Sequence, residues 1–240
     1  MILAIESATP RGSVALVAGG AVIREIGLPD GLQPSATYLA AVDRLLSDGG
    51  SGPERIRRVA VSAGPGSFTG LRVGMAAAKG FCFGWGVPIV PVPTLHALAT
   101  RFPRKEATVC PVLDARKREV YAGFYRWEGD RCVPAAPDAA IPPGRLPEFL
   151  PEGEVLFCGD GIHPYRSLIR ERFGSRALFP PPGEEYPRAG AVGILAGRML
   201  AGGKEEDPRS IVPAYLRPSE AEVRRRGGSP RASPRSTRNR

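Results

Sequence analysis

Three short apolar runs open the chain, ILAIES, SVALVA and AVIREI, all between Met1 and Ile26. Separated by a short turn and by Gly19-Gly20, they predict a β-meander. A fourth run, Val59 to Ser62, is β-branched or small and predicts an interior strand. The pattern then changes to a glycine-rich turn, GPGSFTG, followed by a predicted helix from Leu71 to Phe83. One face of that helix, from Gly70 and Gly74 through Ala77, Ala78 and Gly80, carries almost no side-chain volume. Each glycine inside a helix costs about 1 kcal/mol relative to alanine, so such a helix needs a compensating close contact. Packing on the protein's own sheet and pairing with a helix of another chain both supply one, and the two are compatible. A second, amphipathic helix is predicted over Ser35 to Leu46, SATYLAAVDRLL.

The opening layout recurs. From Cys110 to Val133 the chain reads PVLDA, ARKRE, VYAGFY, a turn around Gly129, and RCV. An acidic residue ends the first strand of each meander, Glu6 and then Asp114. Each meander is followed by a further strand running into a glycine turn and a helix, the second time at VLFCGDGIHPYRSLI, Val155 to Ile169. Two copies of one plan predict a duplicated α/β fold of the actin, hexokinase and Hsp70 type, with two lobes of mixed sheet and flanking helices. The expected lobes are 1–104 and 105–209, with about 210–223 completing the first. The prolines of PIVPVPTLHALATRFP fit a strand and crossover between them.

Glycine turns in such folds hold phosphates, which makes Gly64, Gly66, Ser67, Thr69 and Gly70 a candidate phosphate- or nucleotide-facing turn, with Thr69 as the expected cap. The spacing is neither a P-loop nor G-x-G-x-x-G, and Lys79 lies ten residues past Thr69. A structural strand-to-helix turn is therefore the competing reading. In an independent ATPase of this class, Glu6 and Asp114 would hold magnesium. The alternative is that they cap turns or pair with Arg11 and Arg116. His96, expected at a helix start after Pro93-Thr94, and His163 are 67 residues apart and follow different strands, so no shared metal site is expected.

Charge changes the picture less than its total suggests. The net charge is +9, but 224–240 holds seven arginines and no acid, which leaves about +2 for the rest. That tail is expected to be disordered and offers no aromatic stacking platform. Cysteines 82, 110, 132 and 158 are widely spaced and read as free thiols. With no signal segment and no apolar run approaching ~20 residues, a cytoplasmic protein with no membrane association is expected.

ILAIESAT, SAGPGSFTGLRVGMAAAKG, LDARKREVYAGFY, the CGDG turn and PAYLRPSEAE together resemble the TsaB (YeaZ) family, from Met1 to about Val223. The resemblance implies a noncatalytic paralogue of TsaD in the synthesis of N6-threonylcarbamoyladenosine (t6A) in tRNA. It implies a heterodimer with TsaD, recruitment of TsaE, and an indirect link to tRNA through that complex. ATP or ADP and metal would then sit in the partner subunits, with no cofactor and no catalytic residue here. Catalytic relatives hold a metal with two histidines four apart on the first lobe's leading helix; Ser35 to Leu46 contains none. Two departures stand out, Glu6 where aspartate is common and Pro34 where a histidine is often found. On this reading the two helices form the partner interface through Tyr38, Val42, Leu45, Leu71, Gly74, Met75 and Ala78, and pair two copies when the partner is absent. A bulky residue at Gly74 or Ala78 is then expected to abolish pairing while leaving the monomer folded.

Overall fold

The computed structural model describes residues 1–31, 35–50, 52–104, 106–150, 152–203 and 205–216. The first meander is β1 (Ile2–Glu6), β2 (Ser13–Ala18) and β3 (Ala21–Gly27). Helix α1 (Ser35–Asp48) leads to β4 (Arg58–Gly64), and α2 (Phe68–Trp85) leads to β5 (Ile89–Pro93) and the short α3 (Thr94–Ala99). The second meander is β6 (Thr108–Asp114), β7 (Val120–Glu128) and β8 (Arg131–Ile141). It is followed by β9 (Val155–Cys158), α4 (Ile162–Phe173), β10 (Ala177–Leu178) and α5 (Ala189–Leu200).

The two sheets have the same order, β3-β2-β1-β4-β5 and β8-β7-β6-β9-β10. In each, the first strand pairs antiparallel with the second and parallel with the fourth. The duplication is thus present strand for strand. The copies differ in the first crossover, where α1 has as its counterpart a 3-10 turn, Pro143–Glu148. Pro142, Pro143 and Pro147 account for this, because proline removes the amide donors that an α-helix needs in its interior.

Side-chain alternation along β1 sets the layers. Leu3 and Ile5 point into a core shared with Tyr38, Val42 and Leu45 of α1 and Met75 and Ala78 of α2. Ala4 points the other way, toward Ala189, Val192 and Ala196 of α5. Helix α5 therefore packs on the first sheet, so the chain returns to the first lobe near Ala189 rather than near residue 210. Small residues make this contact possible: a Cβ on Gly193 would lie 2.5 Å from a Val17 methyl. Residues 205–216 stay on the first lobe, with Glu206 bridging Ile89 and Ile211 buried in its core. Pro34 and the arginine-rich stretch 224–240 lie outside the described residues.

Candidate functional site

Two places on this frame can act on another molecule: the cleft between the lobes and the outer face of α1 and α2. In each lobe a glycine with positive φ ends or directly follows the fourth strand, Gly64 at 120° and Gly159 at 99°. At either position a Cβ would run into a backbone carbonyl, that of Ala214 or Val112, so only glycine allows the sheet-to-helix turn. Between these turns lies a cleft of about 340 Å³. Gly66, Ser67 and Thr69 line its first wall; Asp114, Arg116 and Asp160 line the second.

The amides of the first turn are largely used within the protein. Ser67, not Thr69, caps α2, its Oγ accepting from Gly70 N at 3.2 Å. Ser67 N donates to Ala8 O at 2.7 Å and Gly64 N to Thr94 Oγ at 3.2 Å. Gly64 and Gly70 are buried, the latter against the Ser7 carbonyl. The candidate turn is thus brought to the cleft only through Gly66, Ser67 and Thr69, and its geometry is that of a structural turn.

The two carboxylates expected to act together are separated by their environments. Glu6 is fully buried: Oε1 accepts from Ala8 N at 2.6 Å and Oε2 from Ser62 Oγ. Both oxygens are taken, so Glu6 does not face the cleft as a metal ligand. Burial raises its carboxyl to about 7, against the opposing hydrogen bonds from Ser62 and Ala8. Asp114 does face the cleft, but its Oδ1 accepts from Arg116 N at 2.8 Å and its Oδ2 pairs with the Arg116 guanidinium at 3.3 Å. Arg11 pairs with Asp30 at 3.2 Å rather than with Glu6. Asp160, which sequence reasoning quoted only as part of the CGDG turn, accepts from Asp114 N at 3.1 Å, and burial pushes its carboxyl up.

The histidines lie apart. His96 contacts the Cys132 carbonyl at 2.9 Å and stacks on Tyr125, and burial lowers its pKa. His163 sits 3.0 Å from Glu185 and 3.1 Å from the Tyr186 hydroxyl. Among the described residues no group of three His, Cys, Asp or Glu is placed to hold a metal, and no helix is long and apolar enough to cross a membrane.

Glu6 yields a prediction by linkage. Its folded pKa of about 7 lies above the ordinary glutamate value, so the folded state holds the proton more tightly. Its contribution to stability is full below about pH 4.5 and is lost as pH rises through 7, a change of about 3 kcal/mol. Glu6→Gln should flatten the unfolding midpoint between pH 5 and 8 and exceed wild type at pH 8. Parallel wild-type and variant curves would place the carboxylate in a different state.

The outer face shows where the predicted interface residues lie. Tyr38, Val42, Leu45, Leu71, Gly74, Met75 and Ala78 are all buried in the first lobe's own core. They cannot be the contact surface of the folded lobe. A Cβ on Gly74 would overlap the Ser7 side chain, so the small-residue face is first a packing surface. The opposite stripe of α2 is also small: Ala76, Gly80 and Gly84 are exposed, and nothing stands within 4 Å of a Cβ on either glycine. Phe83, 57% exposed, lies along the same stripe, and on α1 Leu39 is 52% exposed. Leu39, Leu46 and Trp85 line a groove of about 530 Å³ between the helices.

Comparison with known proteins places this geometry. Residues 35–225 match the family model of TsaD, described as tRNA N6-adenosine threonylcarbamoyltransferase. The tRNA threonylcarbamoyladenosine biosynthesis protein TsaB of Escherichia coli is 31% identical, over 90% of this chain and 94% of its own. The chain belongs to the TsaB family. The Bacillus subtilis TsaB is 29% identical over 93% of this chain and 96% of its own. Among solved structures, YeaZ from Pseudomonas aeruginosa superimposes with a TM-score of 0.73 at 27% identity, covering 90% of this chain and 99% of that one. The hexokinase of the ROK type from Thermus thermophilus, at 12% identity and a TM-score of 0.50, covers 83% of this chain and 99% of its own. That likeness is one of fold, the actin and hexokinase type.

Proposed function

We propose that this chain is a noncatalytic scaffold of the assembly that makes N6-threonylcarbamoyladenosine in tRNA, pairing with TsaD and helping to recruit TsaE. The observation that carries this reading is the outer face of α1 and α2, where half-exposed Leu39 and Phe83 flank a stripe of small residues. A helix with no side-chain volume on one face lets a second helix approach closely, and large apolar residues beside it supply anchors. The same face pairs two copies when TsaD is absent. The cleft supports the noncatalytic part of the proposal: Glu6 is committed to Ala8 and Ser62, and Asp114 to Arg116. Calorimetric titration of magnesium ATP into the isolated chain should accordingly be flat; a saturable heat would favour an independent ATPase.

The function is tested in the cell. Depleting the chain should lower the t6A content of tRNA measured by mass spectrometry, and an unchanged content would overturn the proposal.

A further inference from the structure

Of the 21 arginines among the described residues, at least a third are held in ion pairs. Arg11, Arg24, Arg44, Arg58, Arg116, Arg126 and Arg145 each pair with a carboxylate. In the second lobe, α4 and the turn behind it gather four of the others. Arg166, Arg170, Arg172 and Arg176 fall within eleven residues, and among the described residues none has a carboxylate within 4 Å. The single acid of the segment is Glu171.

Three of these cations lie over aromatic rings instead. The Arg166 guanidinium lies 4.3 Å from the centre of the Phe179 ring and that of Arg170 5.7 Å from it. Arg176 lies 5.5 Å from the Phe173 ring. Residues 166 and 170 are one helical turn apart, so the two cations stand about 6 Å apart along the axis. A ring fixes a guanidinium without neutralising it, leaving its N–H edge free for a planar anion.

From this juxtaposition we infer that α4 with Phe179 forms an RNA-docking strip, which takes the phosphate backbone. Four unneutralised arginines within eleven residues suit a polyanion. Helix α4 packs on the turn Pro143–Glu148 and on β10 in the second lobe, so a partner on the α1–α2 face leaves it uncovered. The inference rests on the proposed role in tRNA modification, which names the RNA.

The test is fluorescence anisotropy of the full chain with a labelled, unmodified tRNA transcript between 50 and 250 mM salt. Arg166→Gln/Arg170→Gln is compared with the charge-matched Arg126→Gln/Arg131→Gln, on the opposite end of the sheet. The first pair should weaken binding at least fivefold at the lowest salt and reduce the log–log salt slope by about 1.5 to 2, the share of two phosphates. The second pair should change neither. If the first pair does not fold, Arg170→Gln/Arg172→Gln carries the same expectation with two exposed residues. Wild-type binding by the first pair, equal losses in both pairs, no binding by wild type, or equal capture of poly-glutamate would each overturn the strip. The t6A content of tRNA on depletion separates the two ideas: a fall with an inert α4 sinks only the strip, and no fall with a binding α4 sinks only the scaffold.

Discussion

Gly74→Leu should lower the unfolding midpoint by roughly 6–12 °C, whereas Gly80→Leu, on the opposite face of the same helix, should leave it unchanged or raise it slightly. At Gly74 the first added carbon already overlaps the Ser7 side chain, and the next meets the Ile5 methyl region of the β1 core. Overpacking of this kind costs about 3 kcal/mol or more, well beyond the ~1 kcal/mol that helix propensity returns. In a domain of this size 1 kcal/mol moves the midpoint by about 2–4 °C. At Gly80 the space is open, so only the propensity gain remains. A Gly74→Leu variant with a wild-type midpoint would show that α2 does not pack on β1 as described.

The second large effect is on pairing. Leu39→Glu/Phe83→Glu should weaken association with TsaD by at least ~100-fold, since a carboxylate buried without a partner costs about 3 kcal/mol or more. Both side chains are more than half exposed in the free chain, so the thermal midpoint should move little. Gly80→Leu should act in the same direction by separating the helices, with stability intact. The contrast with Gly74 divides one helix into a face that holds the lobe together and a face that meets the partner.

That division explains what was legible in the sequence. Both meanders could be read from their apolar runs and turn glycines, because strand pairing there is local and antiparallel. The two-lobed plan followed from their repetition. The direction in which α2 faces could not be read, because small residues recur on both sides of it: Gly70, Gly74, Ala77 and Ala78 inward, Ala76, Gly80 and Gly84 outward. On α1 the apolar spacing of Tyr38, Val42 and Leu45 marks the core stripe, so the contact residues proposed here are those outside it. The fate of Glu6 depends on Ser62, which lies on the neighbouring strand and 56 positions away. Helix α5 reaches the first sheet by a contact more than 170 residues long, between Ala189 N and Ser13 Oγ, and no local pattern announces it.

The central claim is that the outer face of α1 and α2 is where this chain meets TsaD. Sedimentation of the purified pair at micromolar concentration tests it most directly, with wild type beside Leu39→Glu/Phe83→Glu. The scaffold account predicts a one-to-one complex for wild type and two separate species for the variant. A variant that still forms the complex at wild-type affinity would contradict it, and so would a wild-type chain that forms none.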